Sequence, residues 1–229
     1  MTEVVIGNAT LYLGDCRELI PTIKADVVLS DPPFSAQTHA GARGDQGKTV
    51  LIDFDSFSDD DFTQIAETLV NLVPRWCILF CDWLHIAAAK NKGLPVVRFG
   101  IWVKTNPIPQ MSGDRPSTGW ESICIMHAAG KKRWNGRGKP AVWTHGTTRY
   151  GNFGPSNHPT EKPVGLIKRL LLDFTDEGET IFDPFMGSGS HGVACMDTKR
   201  KYIGCEIDPK HFDTACKRIT QAQQQLRLF

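Results

Sequence analysis

The segment from Ser30 to Phe34, S-D-P-P-F, holds the first residues whose types and spacing could do chemistry. It follows an apolar stretch at residues 25–29 that predicts a β-strand, and two successive prolines cannot continue that strand or enter a helix interior. The Asp31 carboxylate and the Pro32 carbonyl could accept both hydrogens of an amino group, so that its lone pair points at an electrophile. Phe34 would stack on the ring that carries the amine. The alternative is a plain turn in which Asp31 caps the backbone and Phe34 packs in the core.

A second group consists of Gly187, Gly189 and Gly192, which fit the pattern G-x-G-x-x-G between a predicted strand and a predicted helix. Such glycines let a ligand approach the backbone, and Glu206 after the next strand could accept hydrogen bonds from ribose hydroxyls. The alternative is a tight turn whose glycines satisfy backbone geometry alone. Because only 37 residues follow Gly192, the pattern favours a ligand with one nucleoside over a dinucleotide.

The elements that must position these two groups are alternating short strands and helices, which is typical of a parallel α/β sheet. Since ligands bind at the carboxyl ends of such strands, we expect the two turns to lie side by side. Three aspartates at 59–61 suit the positive end of a helix, and Thr160 is predicted to cap another helix. Further strands are predicted near residues 77–81, 96–103, 122–126, 180–183 and 201–205, and further helices near 84–91, 190–197 and from 209 onward.

The composition is that of an ordinary globular protein. Of 229 residues, 41% are hydrophobic and 22% are charged, and we expect one domain over residues 1–229. The apolar stretches are far shorter than the roughly 20 residues that cross a bilayer, and the N-terminus has no signal-peptide pattern, so we expect a cytoplasmic protein. The seven cysteines form no CxxC pair, so we expect neither a disulfide framework nor a metal site.

Residues 128–158 contain six basic side chains and no acidic one, and they are rich in glycine. Clustered cations attract phosphates, and the interleaved aromatic residues offer faces for unstacked bases, so the segment predicts an irregular insert that contacts nucleic acid. The alternative is a solvated basic loop. A loop at residues 35–48 either closes over a nucleotide or is a plain surface loop. The candidate DNA-binding residues are Lys131, Lys132, Arg133, Arg137, Lys139 and Arg149.

Five segments together resemble the S-adenosylmethionine-dependent DNA amino-methyltransferases of the permuted β group. The segment 31–34 is similar to the catalytic motif of that family, and 183–190 is similar to its cofactor motif. The segments H-P-T-E-K-P at 158–163, Y-I-G-C-E at 202–206 and G-D at 14–15 are similar to further cofactor-binding segments. The catalytic motif precedes the cofactor motif by about 150 residues, whereas methyltransferases of ribosomal RNA bases or glutamine side chains have the reverse order. Phe34 stands where the family more often has tyrosine.

The resemblance implies a Rossmann-like class I methyltransferase with a mostly parallel, twisted sheet and helices on both faces. It implies that Lys162 and Thr160 border the methionine end of the cofactor, and that the insert at 128–158 recognises the target. The implied catalytic residues are Asp31, Pro32, Pro33 and Phe34. The implied S-adenosylmethionine-binding residues are Asp15, Asp31, His158, Thr160, Lys162, Asp183, Phe185, Gly187, Ser188, Gly189 and Glu206.

The resemblance also implies the reaction. A methyl group would move from S-adenosylmethionine to the exocyclic amine of a base flipped out of double-stranded DNA, as expected of a restriction-modification enzyme. Because Asp31 leads the motif, adenine N6 is the favoured target, and cytosine N4 is the alternative. Two other classes stay open, a nicotinamide-dependent oxidoreductase and a non-catalytic DNA-binding module. Because the insert is short, a homodimer also stays open.

Overall fold

The structure, a computed structural model, describes residues 1–33, 57–107, 109–148 and 161–226. These residues form nine strands and six α-helices. The strands are β1 Thr2–Ile6, β2 Ala9–Leu13, β3 Val27–Ser30, β4 Trp76–Cys81, β5 Val96–Lys104, β6 Trp120–His127, β7 Val142–His145, β8 Thr180–Asp183 and β9 Lys201–Glu206. The helices are α1 Cys16–Leu19, α2 Asp59–Leu72, α3 Trp83–Asn91, α4 Val164–Phe174, α5 Ser190–Asp197 and α6 Pro209–Leu226, with a 3₁₀ turn at Ile20–Thr22.

The nine described strands join one sheet in the order β1-β2-β9-β8-β3-β4-β6-β5-β7. Strands β2, β9, β8, β3 and β4 are mutually parallel, and β7 is parallel to β5. Strand β1 runs antiparallel to β2, and β6 runs antiparallel to both β4 and β5. Strands β3, β4, β5, β8 and β9 therefore end at one edge of the sheet, here called the carboxyl edge. The opposite edge, where they begin, is the amino edge.

Helices cover both faces of the sheet, because the central strands are apolar on both sides. Along β4, Cys77 and Leu79 pack with α2 and α3, whereas Ile78 and Phe80 pack with α4 and its neighbours. All four side chains are fully buried, as expected for a parallel strand between two helical layers. The prediction of a mostly parallel α/β sheet with helices on both faces is confirmed.

Helix α2 begins as the sequence predicted. Ser58 and Asp61 form a capping box, in which the Ser58 hydroxyl accepts from the Asp61 N–H and the Asp61 carboxylate accepts from the Ser58 N–H. The three aspartates at 59–61 occupy the first turn, where the helix dipole favours negative charge. By contrast, α4 begins at Val164 with Pro163 as its N-cap, so the predicted Thr160 cap is wrong.

The structure also differs from the sequence predictions at three other places. The β1–β2 hairpin was not predicted, and β6 is antiparallel where a further parallel unit was expected. The expected irregular insert contributes β7 to the sheet, and Trp143 of that strand is buried and donates to the Asp173 carboxylate at 3.0 Å. Part of the segment 128–158 is therefore core rather than insert.

The described residues contain neither a membrane-spanning helix nor a metal-binding cluster. No helix there is both long and apolar enough to cross a membrane. No group of three or more His, Cys, Asp and Glu side chains there could hold a metal ion. The seven cysteines are all free thiols, and Cys216 alone among them is not buried.

Helix α5 lies close to α6 because residue 192 has no side chain. A Cβ atom on Gly192 would lie 2.4 Å from Ile219 Cδ1 and 2.9 Å from a Tyr202 ring carbon. We therefore expect Gly192→Ala to lower the free energy of unfolding by about 1 to 3 kcal/mol, the usual cost of overpacking. Chemical denaturation measures this change. The matched control is Gly119→Ala, whose new Cβ would meet no atom within 4 Å. Equal stability of the two variants would contradict the prediction.

Candidate active site at the carboxyl edge

The two chemical motifs meet where β3 and β8 end. The two strands are neighbours in the sheet, with Val28 opposite Phe182. The Ser30 hydroxyl donates a 2.5 Å hydrogen bond to Asp183 Oδ1, across 153 residues of sequence. The expectation that the two turns lie side by side is confirmed by this contact.

Asp183 is fully buried, and protein groups occupy both of its carboxylate oxygens. Besides Ser30, Oδ1 lies 3.3 Å from the Phe185 amide, while Oδ2 accepts from the Tyr202 hydroxyl at 2.9 Å. The His191 ring nitrogen Nδ1 lies 3.1 Å from Oδ2. Burial, together with the Asp183 charge, raises the pKa of Tyr202 well above its usual value, so the phenol stays a donor. The structure thus makes Asp183 a buried hub that holds β3, β8, β9 and α5 together, and the expectation that it contacts a cofactor is not supported by its position.

The glycine turn divides into one open position and two packed ones. Gly187 has φ +53°, a conformation that suits glycine, and a Cβ there would meet nothing within 4 Å. Gly189 has φ +82° at the start of α5, and a Cβ there would lie 2.8 Å from Ala215 Cβ. Gly192 is packed against α6 in the same way. Among these three described glycines, Gly187 alone therefore has a backbone that is open to the close approach of a ligand.

Arg218 of α6 fixes the residue between the open and the packed glycine. Its guanidinium donates to the Ser188 carbonyl and hydroxyl, both at 2.8 Å, and to the Glu161 carboxylate at 2.6 Å. Ser188 is buried, and in its described contacts it serves to hold Arg218. Its contact with a cofactor stays a prediction.

Glu206, at the end of β9, borders the open glycine. Its carboxylate accepts from the Gly187 N–H at 2.7 Å and from the Asp208 N–H at 2.9 Å. Burial raises the pKa of Glu206, and these backbone hydrogen bonds oppose that effect. A carboxylate accepts about four hydrogen bonds, so Glu206 keeps capacity for the hydroxyls of a ligand. This placement is the one expected of a ribose-binding acid.

Asp15 and Phe185 are two further residues that were expected to contact the cofactor. The Gly14 N–H donates to the Glu206 carbonyl at 2.9 Å, which places Asp15 next to the end of β9. The Asp15 carboxylate caps α1 and holds Arg17, and the hydrogen bonds from Arg17 lower the pKa of Asp15. Phe185 is partly buried and meets the ring of Phe57 edge-on, with centroids 5.7 Å apart.

Asp31 lies in a row of alternating charges at the carboxyl edge. The Lys162 ammonium is 2.6 Å from Asp31 Oδ2 and 3.3 Å from Glu121 Oε2, and Glu121 in turn holds Lys104 at 2.8 Å. Oxygen Oδ1 of Asp31 is buried and has no hydrogen-bond partner among the described residues. Burial raises the pKa of Asp31, although Lys162 opposes it. The ammonium of Lys162 thus contacts the Asp31 carboxylate, and the expectation that Lys162 borders the cofactor stays a prediction.

Sequence reasoning missed three residues of this neighbourhood. Glu121 is the lone acid in the apolar strand β6, and that exception was the available signal. Lys104 ends β5 at the same edge. His191 was assigned no role, yet its ring lies beside Asp183 and 6.3 Å from that of Phe80, whose face also carries Lys162.

Several predicted site residues lie outside the described residues. These are Phe34, Arg149, His158 and Thr160, together with the loop at 35–48. Pro32 and Pro33 are described; Pro32 is buried and Pro33 is partly buried.

The five described basic residues of the 128–158 segment lie at the amino edge. They follow β6, whose last residue His127 is opposite Trp76, the first residue of β4. Arg133 pairs with Asp176, and Lys139 lies 2.7 Å from Asp173. The six residues of β4 span five steps of about 3.3 Å, so this edge and the carboxyl edge are about 17 Å apart. The structure therefore does not bring Lys131, Lys132, Arg133, Arg137 and Lys139 together with Asp31.

The described residues suit a nucleoside ligand and an amine at adjoining places. Gly187 leaves its backbone open, and Glu206 supplies acceptors for hydroxyls beside it. Asp31 follows β3, which is separated from β9 by β8. Its unpaired Oδ1 can accept a hydrogen bond from a ligand. These groups fit the two partners of a transfer reaction, a nucleoside that carries the transferred group and an amine that receives it.

Comparison with known proteins gives the family. A model of the DNA methylase family, named for N6 and N4 methyltransferases, matches residues 25–217. The type II methyltransferase M2.LlaDCHI of Lactococcus lactis subsp. cremoris is 28% identical over 243 residues, which cover 93% of this chain and 90% of that protein.

Two solved structures show the same fold. The M1.HpyAVI–SAM complex has a TM-score of 0.65 at 23% identity, and the match covers 92% of this chain and 99% of that one. The cytosine-N4-specific PvuII DNA methyltransferase has a TM-score of 0.72 at 13% identity, with 97% and 93% covered. At these identities the similarity establishes the Rossmann-like class I fold and nothing finer.

The Asp183 hub generates a stability prediction. Asp183→Ala leaves the buried Ser30 and Tyr202 hydroxyls without their acceptor. We expect the free energy of unfolding to fall by about 3 kcal/mol or more, since each buried group left unpaired costs about 1 to 3 kcal/mol. Urea denaturation measures this loss. As a control, Asp15→Ala removes a partly exposed helix cap and should cost about 1 kcal/mol. A loss no larger than that of the control would refute the hub.

Proposed function

This chain belongs to the DNA methylase family of N6 and N4 methyltransferases, and we propose that it methylates the exocyclic N6 amine of adenine in double-stranded DNA. The relatives that it matches include the type II methyltransferases M2.LlaDCHI and M.HinfI. The observation that carries the proposal is the contact between Ser30 and Asp183, because it sets the amine-binding turn beside the glycine turn. The described strands join one sheet, which supports one methyltransferase domain over residues 1–229.

The methyl donor of this family is S-adenosylmethionine, and the M1.HpyAVI neighbour is a complex with it. When bound, this cofactor supplies an activated methyl group on a positively charged sulfur. Glu206 would hold the ribose hydroxyls, and the open backbone at Gly187 would admit the nucleoside beside it. Asp15 and Phe185 lie close enough to border the same pocket. The fully paired Asp183 would shape the pocket without touching its occupant.

Asp31 and Pro32 would orient the amine. The unpaired Asp31 Oδ1 accepts one amine hydrogen and the Pro32 carbonyl accepts the other, so that the nitrogen lone pair faces the methyl group. As the N–C bond forms, the bond between the methyl carbon and the cofactor sulfur would break and its electron pair would stay on the sulfur, while the nitrogen would become positively charged and its proton acidic. The proton then leaves to Asp31 Oδ1 or to water. Asp31 must therefore be ionised before the reaction, and the Lys162 ammonium favours that state.

DNA would approach the carboxyl edge. The amine of a paired base is stacked inside the duplex, so the base must leave the helix to reach Asp31. Trp83 and Trp120, at the start of α3 and β6, lie at this edge and are 54% and 41% exposed. Exposed aromatic faces suit contacts with unstacked bases. Lys131 and Lys132, at the amino edge, are then candidates only for contacts with DNA away from the reacting base.

The choice of adenine rests on the residue that leads the catalytic motif. Asp31 resembles the acid of adenine-N6 enzymes, whereas serine is more frequent in cytosine-N4 enzymes. Cytosine N4 is the second candidate, because the PvuII neighbour of the same fold is cytosine-specific. Nucleoside analysis of the methylated DNA separates the two outcomes, since the product is either N6-methyladenine or N4-methylcytosine.

The central experiment uses labelled S-adenosylmethionine and unmethylated duplex DNA. We expect Asp31→Ala to lower methyl transfer by about a hundredfold or more, because the amine loses its carboxylate acceptor. Cofactor binding, measured by calorimetry, should stay close to the wild-type value. Asp31→Asn keeps one acceptor oxygen and should retain part of the activity. Wild-type transfer by Asp31→Ala would refute the role of Asp31.

The same assay tests the other classes. Binding of a nicotinamide dinucleotide without binding of S-adenosylmethionine would identify an oxidoreductase. DNA binding without transfer of label by the wild-type protein would identify a non-catalytic module. Either result would overturn the proposed function.

Glu206 gives a prediction for the cofactor. Glu206→Ala removes a carboxylate that faces the pocket and also holds the Gly187 amide. We expect S-adenosylmethionine to bind more weakly by about 1 to 3 kcal/mol, the range for hydrogen bonds to a charged group. Isothermal titration calorimetry measures the change. Glu177→Ala, at an exposed acid of the amino edge, is the control. An unchanged affinity in Glu206→Ala would remove Glu206 from the site.

A further inference from the structure

The row of charges at the carboxyl edge divides the two oxygens of Asp31 between two uses. Lys162 approaches Oδ2 at 2.6 Å, and its side chain is only 3% exposed. Oδ1 of the same carboxylate is buried and has no hydrogen-bond partner among the described residues, while the Asp31 side chain as a whole is 18% exposed. A carboxylate that is pinned through one oxygen cannot rotate freely, so the other oxygen keeps a fixed direction.

Lys162 is itself held from a second side. Glu121 Oε2 lies 3.3 Å from the ammonium, and the ring of Phe80 lies 5.2 Å below it. Lys104 balances the charge of Glu121, with 2.8 Å between the ammonium and carboxylate. Although burial opposes both charges, the neighbouring acids raise the pKa of Lys162, and the two lysines lower the pKa of Glu121. The four side chains of the row are therefore ionised, and the charges of the two lysines balance those of the two acids.

We propose that Lys162 and Glu121 are positioning residues of the amine site: Lys162 pins Asp31 through Oδ2, Glu121 fixes Lys162, and Oδ1 is left for the target amine. The inference rests on the proposed function, and it differs from the role that the resemblance implied for Lys162. A lysine at the methionine end would act on cofactor affinity. A lysine that pins Asp31 acts on the transfer rate instead.

The first test separates these roles. Single-turnover methyl transfer gives the rate of the chemical step, and calorimetry gives the affinity for S-adenosylmethionine. For Lys162→Met we expect the rate to fall by about tenfold to a hundredfold, the scale of a misplaced reacting group. The affinity should change by less than about twofold, since binding and chemistry respond separately. A weaker affinity with an unchanged rate would overturn the proposal.

The second test concerns pH. Among the described residues, Lys162, Glu121 on β6 and His191 on α5 are the charged or titratable groups that act on Asp31, and Lys162 favours its ionised form. Transfer needs that form, so the rate falls as the pH drops through the Asp31 pKa. Without Lys162 this pKa rises, and the acid limb of the rate profile moves to higher pH. Glu121 opposes the ionisation of Asp31. When Glu121 is removed and Lys162 is retained, the pKa of Asp31 falls and the acid limb of the rate profile moves to lower pH.

The third test is a double-mutant cycle. If Glu121 acts through Lys162, then Glu121→Gln slows the chemical step in the wild-type background but adds no further loss to Lys162→Met. Fully additive losses would contradict this chain of contacts. Lys168→Met is the matched control, because it removes a lysine from a lysine–aspartate pair with Asp197 outside the site. Thermal unfolding of all variants identifies any loss that comes from stability.

A readout without DNA keeps the proposal separate from the proposed function. Carbon NMR of the Asp31 carboxyl group should show a higher pKa in Lys162→Met than in the wild type. An equal pKa in both proteins would overturn the positioning inference, whatever the enzyme does. A wild type that transfers no methyl group to DNA would overturn the proposed function, whereas the shifted NMR titration would still support the ion pair.

Discussion

The hydrogen bond from Ser30 to Asp183 is the contact on which the site depends. It joins the ends of two neighbouring strands between fully buried side chains, where an unpaired carboxylate or hydroxyl would be costly. Tyr202 and His191 complete the same carboxylate, so β9 and α5 take their positions from it as well. The distance between the amine-binding turn and the glycine turn is thereby fixed by the core rather than by the loops.

Much of the fold and of the site could be predicted from the sequence, because the signals were local. The two prolines after β3 and the glycines after β8 mark both strand ends, and the end of a parallel strand is where a ligand binds. Glu206 was recognisable from its spacing to the glycines. The hairpin β1–β2 and the antiparallel direction of β6 gave no such signal, since an apolar stretch does not specify which neighbour it pairs with or in which direction.

The remaining differences come from contacts between distant parts of the chain. The ion pair of Lys162 with Asp31 spans 131 residues, and no periodicity reveals it. The basic run at 131–139 was expected to contact DNA, and a count of charges does not show which edge of the sheet the run reaches. Strand β6 carries that run to the amino edge, where Asp173 and Asp176 take up part of its charge. The three-dimensional pairing shows which lysine contacts Asp31 and which contacts Asp173 at the amino edge.

The reversed strand β6 has a consequence for how such an enzyme can change. Because β6 starts where β5 ends, the connection between them, residues 105–119, leaves and rejoins the sheet at the carboxyl edge. Lys104 and Glu121 form an ion pair between the two strands that this connection joins. Insertions within that connection would leave the two strands and their charges in register. A descendant of this protein could therefore acquire a new substrate-recognition segment in this connection and keep the reaction of its ancestor.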